Sequence, residues 1–291
     1  MDTAAARVDD EISMRELVAI LASQKWLVLW IAAAITLAGG IASLVVPKYY
    51  RAVTIVSPVS NSPNASQLGG LGSLVSQFGG LASLAGVSLA ADNKRAESVA
   101  VLESEALTES YIRDNNLLPV LYASKWDAVH RRFTVTNPEK MPTLWKANDY
   151  FKKKIRDVTV DTKTGLVWLR ISWKDPKLAA KWANDLVKLA NNTLRDAAIA
   201  ESERNIAYLN QQAAKTDQVG VKQAIYTILQ TEINKEMLAR GNDQYAFKVL
   251  DPAFAPERPY FPLPLLWTAA AFAGGLFLGC VVAIVRATWR G

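Results

Sequence analysis

Two stretches, WLVLWIAAAITLAGGIASLVV at 26–46 and LLWTAAAFAGGLFLGCVVAIV at 265–285, decide how the rest of this chain is read. Each is 21 residues long and carries neither a charge nor a proline. At about 1.5 Å rise per residue, such a helix crosses a hydrocarbon layer about 30 Å thick. A helix also satisfies its own backbone hydrogen bonds, which lipid does not do for it. The chain therefore reads as a membrane hairpin, with both tails on one side and residues 47–264 on the other. Aromatic residues flank both runs: Trp26, Trp30, Tyr49 and Tyr50 around the first, Tyr260, Phe261, Trp267 and Trp289 around the second. Amphipathic rings prefer the headgroup layer, so these look like interface belts. The first run is longer than the apolar region of a cleaved signal peptide, and an acidic, helix-forming segment precedes it.

The loop between the runs suits one substantial domain or one domain plus an extension. The tails balance in charge, so the net charge of +6 belongs to the loop. Its longest basic run, Lys152, Lys153 and Lys154, reads as a solvated helix face. No basic stripe interleaved with aromatics occurs, which argues against nucleic acid as a partner. The one cysteine, Cys280, sits in the second apolar run, leaving the loop without thiol or disulfide chemistry.

Along the chain, Ser13 and Glu16 have capping-box spacing ahead of the first run. A strand is expected at 48–56. Residues 52–91 hold no charged residue at all, with GGLGSL at 69–74 nearly repeated as GGLASL at 79–84. Leu68, Leu71, Leu74, Phe78, Leu81 and Leu84 make this more than a solvated linker. It reads as an apolar flap at the membrane surface or between subunits, with a mobile loop as the plainer alternative. Helices are expected at 92–116, hinged near Ser104, and at 143–155. Strands are expected at 157–161 and 166–173, turning at Gly165, and again at 244–250.

Asp175 and Pro176 give a cap followed by proline in the first turn. No glycine or proline follows until after Lys215, so a helix of about 60 Å is expected over 176–215. Its apolar stripe passes through Leu178, Trp182, Leu186, Leu189 and Thr193, then thins. The first half should pack on a domain and the second half project or meet another subunit. A break at Gly220 and a returning helix over 221–240 should follow.

The chemistry-bearing patterns are sparse. The single histidine, His130, excludes a histidine-based zinc cluster and disfavours a Ser-His-Asp triad. No P-loop sequence occurs. No catalytic, cofactor-binding or metal-binding residue is assigned, and an enzyme is not expected. Two other patterns stand out. Pro252, Pro256, Pro259 and Pro262 lead to Pro264, a spacing that favours a stiff polyproline II rod before the second run. Within that run, Ala271, Gly275, Gly279 and Ala283 recur every four residues, a stripe that lets helix backbones approach closely, with a lesser version at Ala34, Ala38 and Ala42. The stripe serves packing between the two helices or between subunits.

Together these residues resemble the Wzz-type chain-length determinants, polysaccharide co-polymerases of the bacterial inner membrane. The resemblance rests on Asp10-Glu11-Ile12 and Arg15-Glu16-Leu17 before the first run, and Pro47-Lys48-Tyr49 with Ala52 after it. It continues in Asn205-Ile206-Ala207-Tyr208-Leu209, in Tyr245-Ala246-Phe247-Lys248-Val249-Leu250-Asp251-Pro252-Ala253, and in the prolines with Gly275 and Gly279. The resemblance implies an α+β membrane protein in which two transmembrane helices, 26–46 and 265–285, flank a periplasmic α/β domain at 47–264. That domain includes the long helix at about 176–215 and the proline-rich return at 252–264. Segments 1–25 and 286–291 would be cytoplasmic. It further implies a ring-like homo-oligomer that works with a membrane-embedded polymerase on a lipid-linked polysaccharide of O-antigen type, without forming bonds itself. The alternative is a capsule or exopolysaccharide co-polymerase working with a separate tyrosine kinase. A two-span sensor would need an output domain, and a processing enzyme would need an essential loop carboxylate.

Overall fold

The computed structural model describes residues 23–59 and 82–289; the side chains of 82–92, 287 and 288 are outside the description. It falls into two units, one made of the two chain ends and the other of residues 50–257.

The first unit is a pair of apolar helices, α1 (Lys25–Val45) and α8 (Pro264–Thr288), each long and apolar enough to cross a membrane. They run antiparallel: Val28 meets Gly279, Ala32 meets Gly275 and Gly39 meets Ala271. Just beyond, Tyr49 bridges Phe261, with the Tyr49 amide donating to the Phe261 carbonyl (2.9 Å) and the Tyr260 amide to the Tyr49 carbonyl (2.8 Å).

The second unit is mostly helical around one sheet. Its described elements are β1 (Tyr50–Pro58), α2 (Ala82–Glu103), α3 (Glu105–Asp114), the short α4 (Leu118–Leu121), a two-residue hairpin β2 (Trp126–Asp127) and β3 (Arg132–Phe133), and α5 (Leu144–Tyr150). After α5 a π-helical turn (Phe151–Ile155) leads into β4 (Arg156–Val160), then β5 (Val167–Trp173), α6 (Pro176–Lys215), α7 (Val219–Arg240) and β6 (Phe247–Asp251). The sheet is antiparallel in the order β4-β5-β1-β6. Tyr50 pairs with Trp173, and Ile171 with Arg156 on its other side. The β4–β5 turn is closed by Asp161, whose carboxylate accepts from the Lys163 amide and the Thr164 hydroxyl. Gly165 there has φ +70°, a conformation that an L side chain adopts only with strain.

Alternation places one face of each central strand inward. Ala52, Thr54 and Val56 of β1 and Val167, Leu169, Ile171 and Trp173 of β5 are buried under α6. The first half of α6 answers with Ala179, Trp182, Ala183, Leu186, Val187 and Ala190. Trp182 lies between the Trp173 ring, 5.0 Å away, and the Phe151 ring, 5.9 Å away, joining helix, sheet and π-turn. Each such large side chain contributes about 1.5–3 kcal/mol by leaving water.

Several expectations are met closely. The long helix has the bounds Pro176–Lys215, and the Asp175 carboxylate caps it by accepting from the Lys177 and Leu178 amides. The hinge at Ser104 is real: its hydroxyl accepts from the Leu107 amide and starts α3. Others need correction. Thr193 is exposed, because alanines at 179, 183 and 190 carry the buried rail. The second half of α6 packs on α7 of the same chain, burying Ala198, Ser202 and Ala213, with Lys235 reaching Glu201 at 3.2 Å. Gly220 lies inside α7; the break falls at 216–218, where Thr216 takes extended dihedrals.

Candidate functional site

The structure divides the candidate residues among three places. Gly275 and Gly279 face α1. A Cβ on Gly275 would lie 2.9 Å from the Ala32 Cα, and one on Gly279 would lie 3.0–3.1 Å from Val28 Cγ1, Cα and carbonyl oxygen. Ala271 touches Gly39, so three of the four stripe residues are brought to the contact between the two helices, and Ala283 is fully buried. On α1, however, the matching face is Val28, Ala32, Gly39 and Ser43, whereas Ala34, Ala38 and Ala42 are exposed. The difference of two residues is about 200° of helix rotation.

The prolines do not form one uninterrupted rod. The chain bends at Glu257, Arg258 and Tyr260, and the Phe261–Pro262 peptide is cis. Proline offers no amide, but Tyr260 does, and its bond to Tyr49 turns the chain between Pro259 and Pro262. Of the apolar loop, Leu68, Leu71, Leu74, Phe78 and Leu81 lie outside the described residues, as do Ser13 and Glu16; Leu84 falls in the backbone of α2.

In the second unit the side chains that hold the architecture are polar ones that the sequence did not single out. Asn191, buried on α6, binds β6 as a peptide group would. Its Oδ1 accepts from the Ala246 (2.9 Å) and Phe247 (2.7 Å) amides, and its Nδ2 donates to the Phe247 carbonyl at 3.0 Å. Two helical turns earlier Asn184 repeats this at Ala253, accepting from its amide and donating to its carbonyl, both at 2.9 Å. The pair fastens the 246–253 segment along the long helix. The signal was present as two asparagines seven residues apart on an otherwise apolar face, but only a partner strand gives it meaning.

Arg156 is the other buried polar anchor. It opens β4 facing inward, and its guanidinium donates to the Leu102 carbonyl (2.9 Å), the Thr108 hydroxyl (2.6 Å) and the Glu103 carbonyl (2.6 Å). It thereby satisfies carbonyls left open where α2 ends at the Ser104 hinge. Burial lowers its pKa, while the charges of Glu103 and Glu105 act in the opposite sense. Tyr111 on α3 donates to Asp185 on α6 at 3.0 Å, and burial first, then Asp185, pushes its pKa upward. His130 sits on the exposed β2–β3 hairpin against Asp127, 2.6 Å from its Oδ2. Among the described residues no three His, Cys, Asp or Glu side chains gather as metal ligands would.

Residues 10–115 match the family model Wzz, described as chain length determinant protein. A comparison with curated proteins finds no match. Among solved structures, one described as a full-length bacterial polysaccharide co-polymerase is 13% identical with a TM-score of 0.39, over 96% of this chain and 98% of that chain. A fragment of WzzB, a polysaccharide co-polymerase from Salmonella Typhimurium, is 11% identical with a TM-score of 0.31, over 74% of this chain and 100% of that chain. Both likenesses are too distant to bear on the fold, so the weight rests on the matched segment. Over residues 10–115, which include α1, β1, α2 and α3, the chain is similar to the Wzz chain length determinant family.

Proposed function

We propose that this protein is a non-catalytic, oligomeric scaffold of the bacterial inner membrane that sets the modal length of a lipid-linked polysaccharide of O-antigen type. In this reading α1 and α8 cross the membrane, the unit at 50–257 is periplasmic, and identical subunits form a ring beside a membrane-embedded polymerase. The observation that carries the reading is the chain length determinant match over the first apolar helix and the strand that follows it. The tight α1–α8 packing and the asparagine-fastened return of the chain along α6 support it, because each braces its own unit. A capsule or exopolysaccharide co-polymerase served by a separate tyrosine kinase is the second reading, since residues 10–115 do not distinguish the two polysaccharides.

Replacing every Asp and Glu of 47–264 singly by Asn or Gln tests the scaffold reading. Polymer should continue to be made in every variant. One carboxylate whose amide abolishes polymer while the protein stays folded and in the membrane would make this an enzyme.

A further inference from the structure

The lysine triplet that reads as a solvated face in the sequence gains neighbours through the sheet. Phe151 and Ile155 are buried at the two ends of the π-turn, so Lys152, Lys153 and Lys154 between them are turned outward and exposed. The turn runs directly into Arg156, which pairs with Ile171 of β5. Two residues further along β5, Trp173 pairs with Tyr50, the first residue of β1. The triplet therefore lies at the end of the sheet where β1 begins. Lys174 and Lys177 leave β5 at that same end, and both are exposed.

Four nearby acids are already engaged, while Glu103, whose charge acts on Arg156, is in no ion pair among those described. Glu105 pairs with Lys152 (3.0 Å), Asp149 with Lys153 (2.7 Å) and Asp157 with Arg170 (3.2 Å), and Asp175 caps α6. Lys154, Lys174 and Lys177 have no ion-pair partner among the described residues. The opposite end of the sheet, at the β4–β5 turn, has Lys163 beside Asp161.

Only residues 46–49 separate α1 from β1. Five Cα steps at full extension reach about 18 Å, so Tyr50 is tethered within that distance of Val45, the last residue of α1. A lysine within about a Debye length, 8–10 Å, of an anionic surface is held by it.

We propose that Lys152–154, Lys174 and Lys177 form a basic edge that docks the folded unit on anionic phospholipid headgroups of the bilayer into which α1 inserts. This rests on reading α1 and α8 as membrane spans. Docking fixes the tilt of the domain over the membrane, because an edge whose three unpaired lysines, Lys154, Lys174 and Lys177, lie on one side allows few orientations of equal energy. Lipid composition and salt thereby become inputs to the geometry of the scaffold.

The test uses the full chain in nanodiscs of phosphatidylcholine alone or with phosphatidylglycerol, and measures the acylation rate of individual lysines by mass spectrometry. Lys154, Lys174 and Lys177 should react about fivefold more slowly in the anionic discs, and the contrast should vanish in about 1 M salt. Lys163 and Lys215 should react alike in both lipids. Equal rates at the three lysines, or equal slowing at all five, would overturn the proposal. Slowing that requires added lipid-linked glycan would overturn it in favour of a phosphate-bearing ligand. Failure of the chain to enter discs would overturn the membrane reading and this inference with it; entry without the contrast would overturn this inference alone.

Discussion

Asn191 accepts two amides and donates to a carbonyl of one strand, so its loss leaves three buried backbone groups without partners. Each such group costs about 1–3 kcal/mol, and local relaxation recovers part of it. Asn191→Ala should therefore destabilise the 50–257 unit by about 3 kcal/mol, read as a drop in the urea midpoint at unchanged m-value. A loss under about 0.5 kcal/mol would mean that β6 is held by the sheet alone. Arg156→Met should cost a similar amount, because the Leu102 and Glu103 carbonyls would face an apolar side chain. Its effect should appear first as faster amide exchange in the first turn of α3.

Acid should act locally before it acts globally. Asp127 has its pKa lowered, mainly by its bond to the His130 ring and then by the His130 amide. A lowered folded-state pKa means that the carboxylate's contribution is complete above about pH 4 and is lost as pH falls through the folded value. The Val129 and His130 amides, which this carboxylate accepts at 2.9 and 3.2 Å, should lose exchange protection below pH 4 while α6 keeps its own. Simultaneous loss at both places would show that the hairpin is not an independent unit.

Among elements, the pairing of α1 with α8 depends on close approach. Gly275→Leu places a side chain where even a Cβ would be 2.9 Å from backbone, whereas Gly274 has nothing within 4 Å of the equivalent position. Gly275→Leu should lower the thermal midpoint of the purified protein in detergent, by about 1–3 kcal/mol of overpacking, and Gly274→Leu should not. Equal effects of the two would show that the helices do not pack as described.

The same elements show how far a sequence reading reaches. The long helix was legible to the residue because its signals are local: Asp175 and Pro176 at one end, and no breaker until after Lys215. Its register was less so. Thr193 matched the helical period, yet small alanines, which carry little hydrophobic weight, form the rail against the sheet. Gly220 drew attention as a breaker, but a glycine in the second position of an exposed helix costs only about 1 kcal/mol and is tolerated there. Asn184, Asn191 and Arg156 could be given no role from the sequence for a different reason. Their bonding partners are 48 to 69 residues away, so no window of sequence contains both.

For the whole molecule, each of the two units has its own fastening. The apolar helices hold each other, and the chain that leaves α7 is tied back along α6 before it reaches α8. The proposed length-setting role is tested on cells. The most direct measurement is a gel of surface polysaccharide from cells with this gene deleted and then restored. Deletion should leave polymer of scattered length, and restoration should bring back one preferred length. Loss of all polymer on deletion, or an unchanged length distribution, would contradict the account.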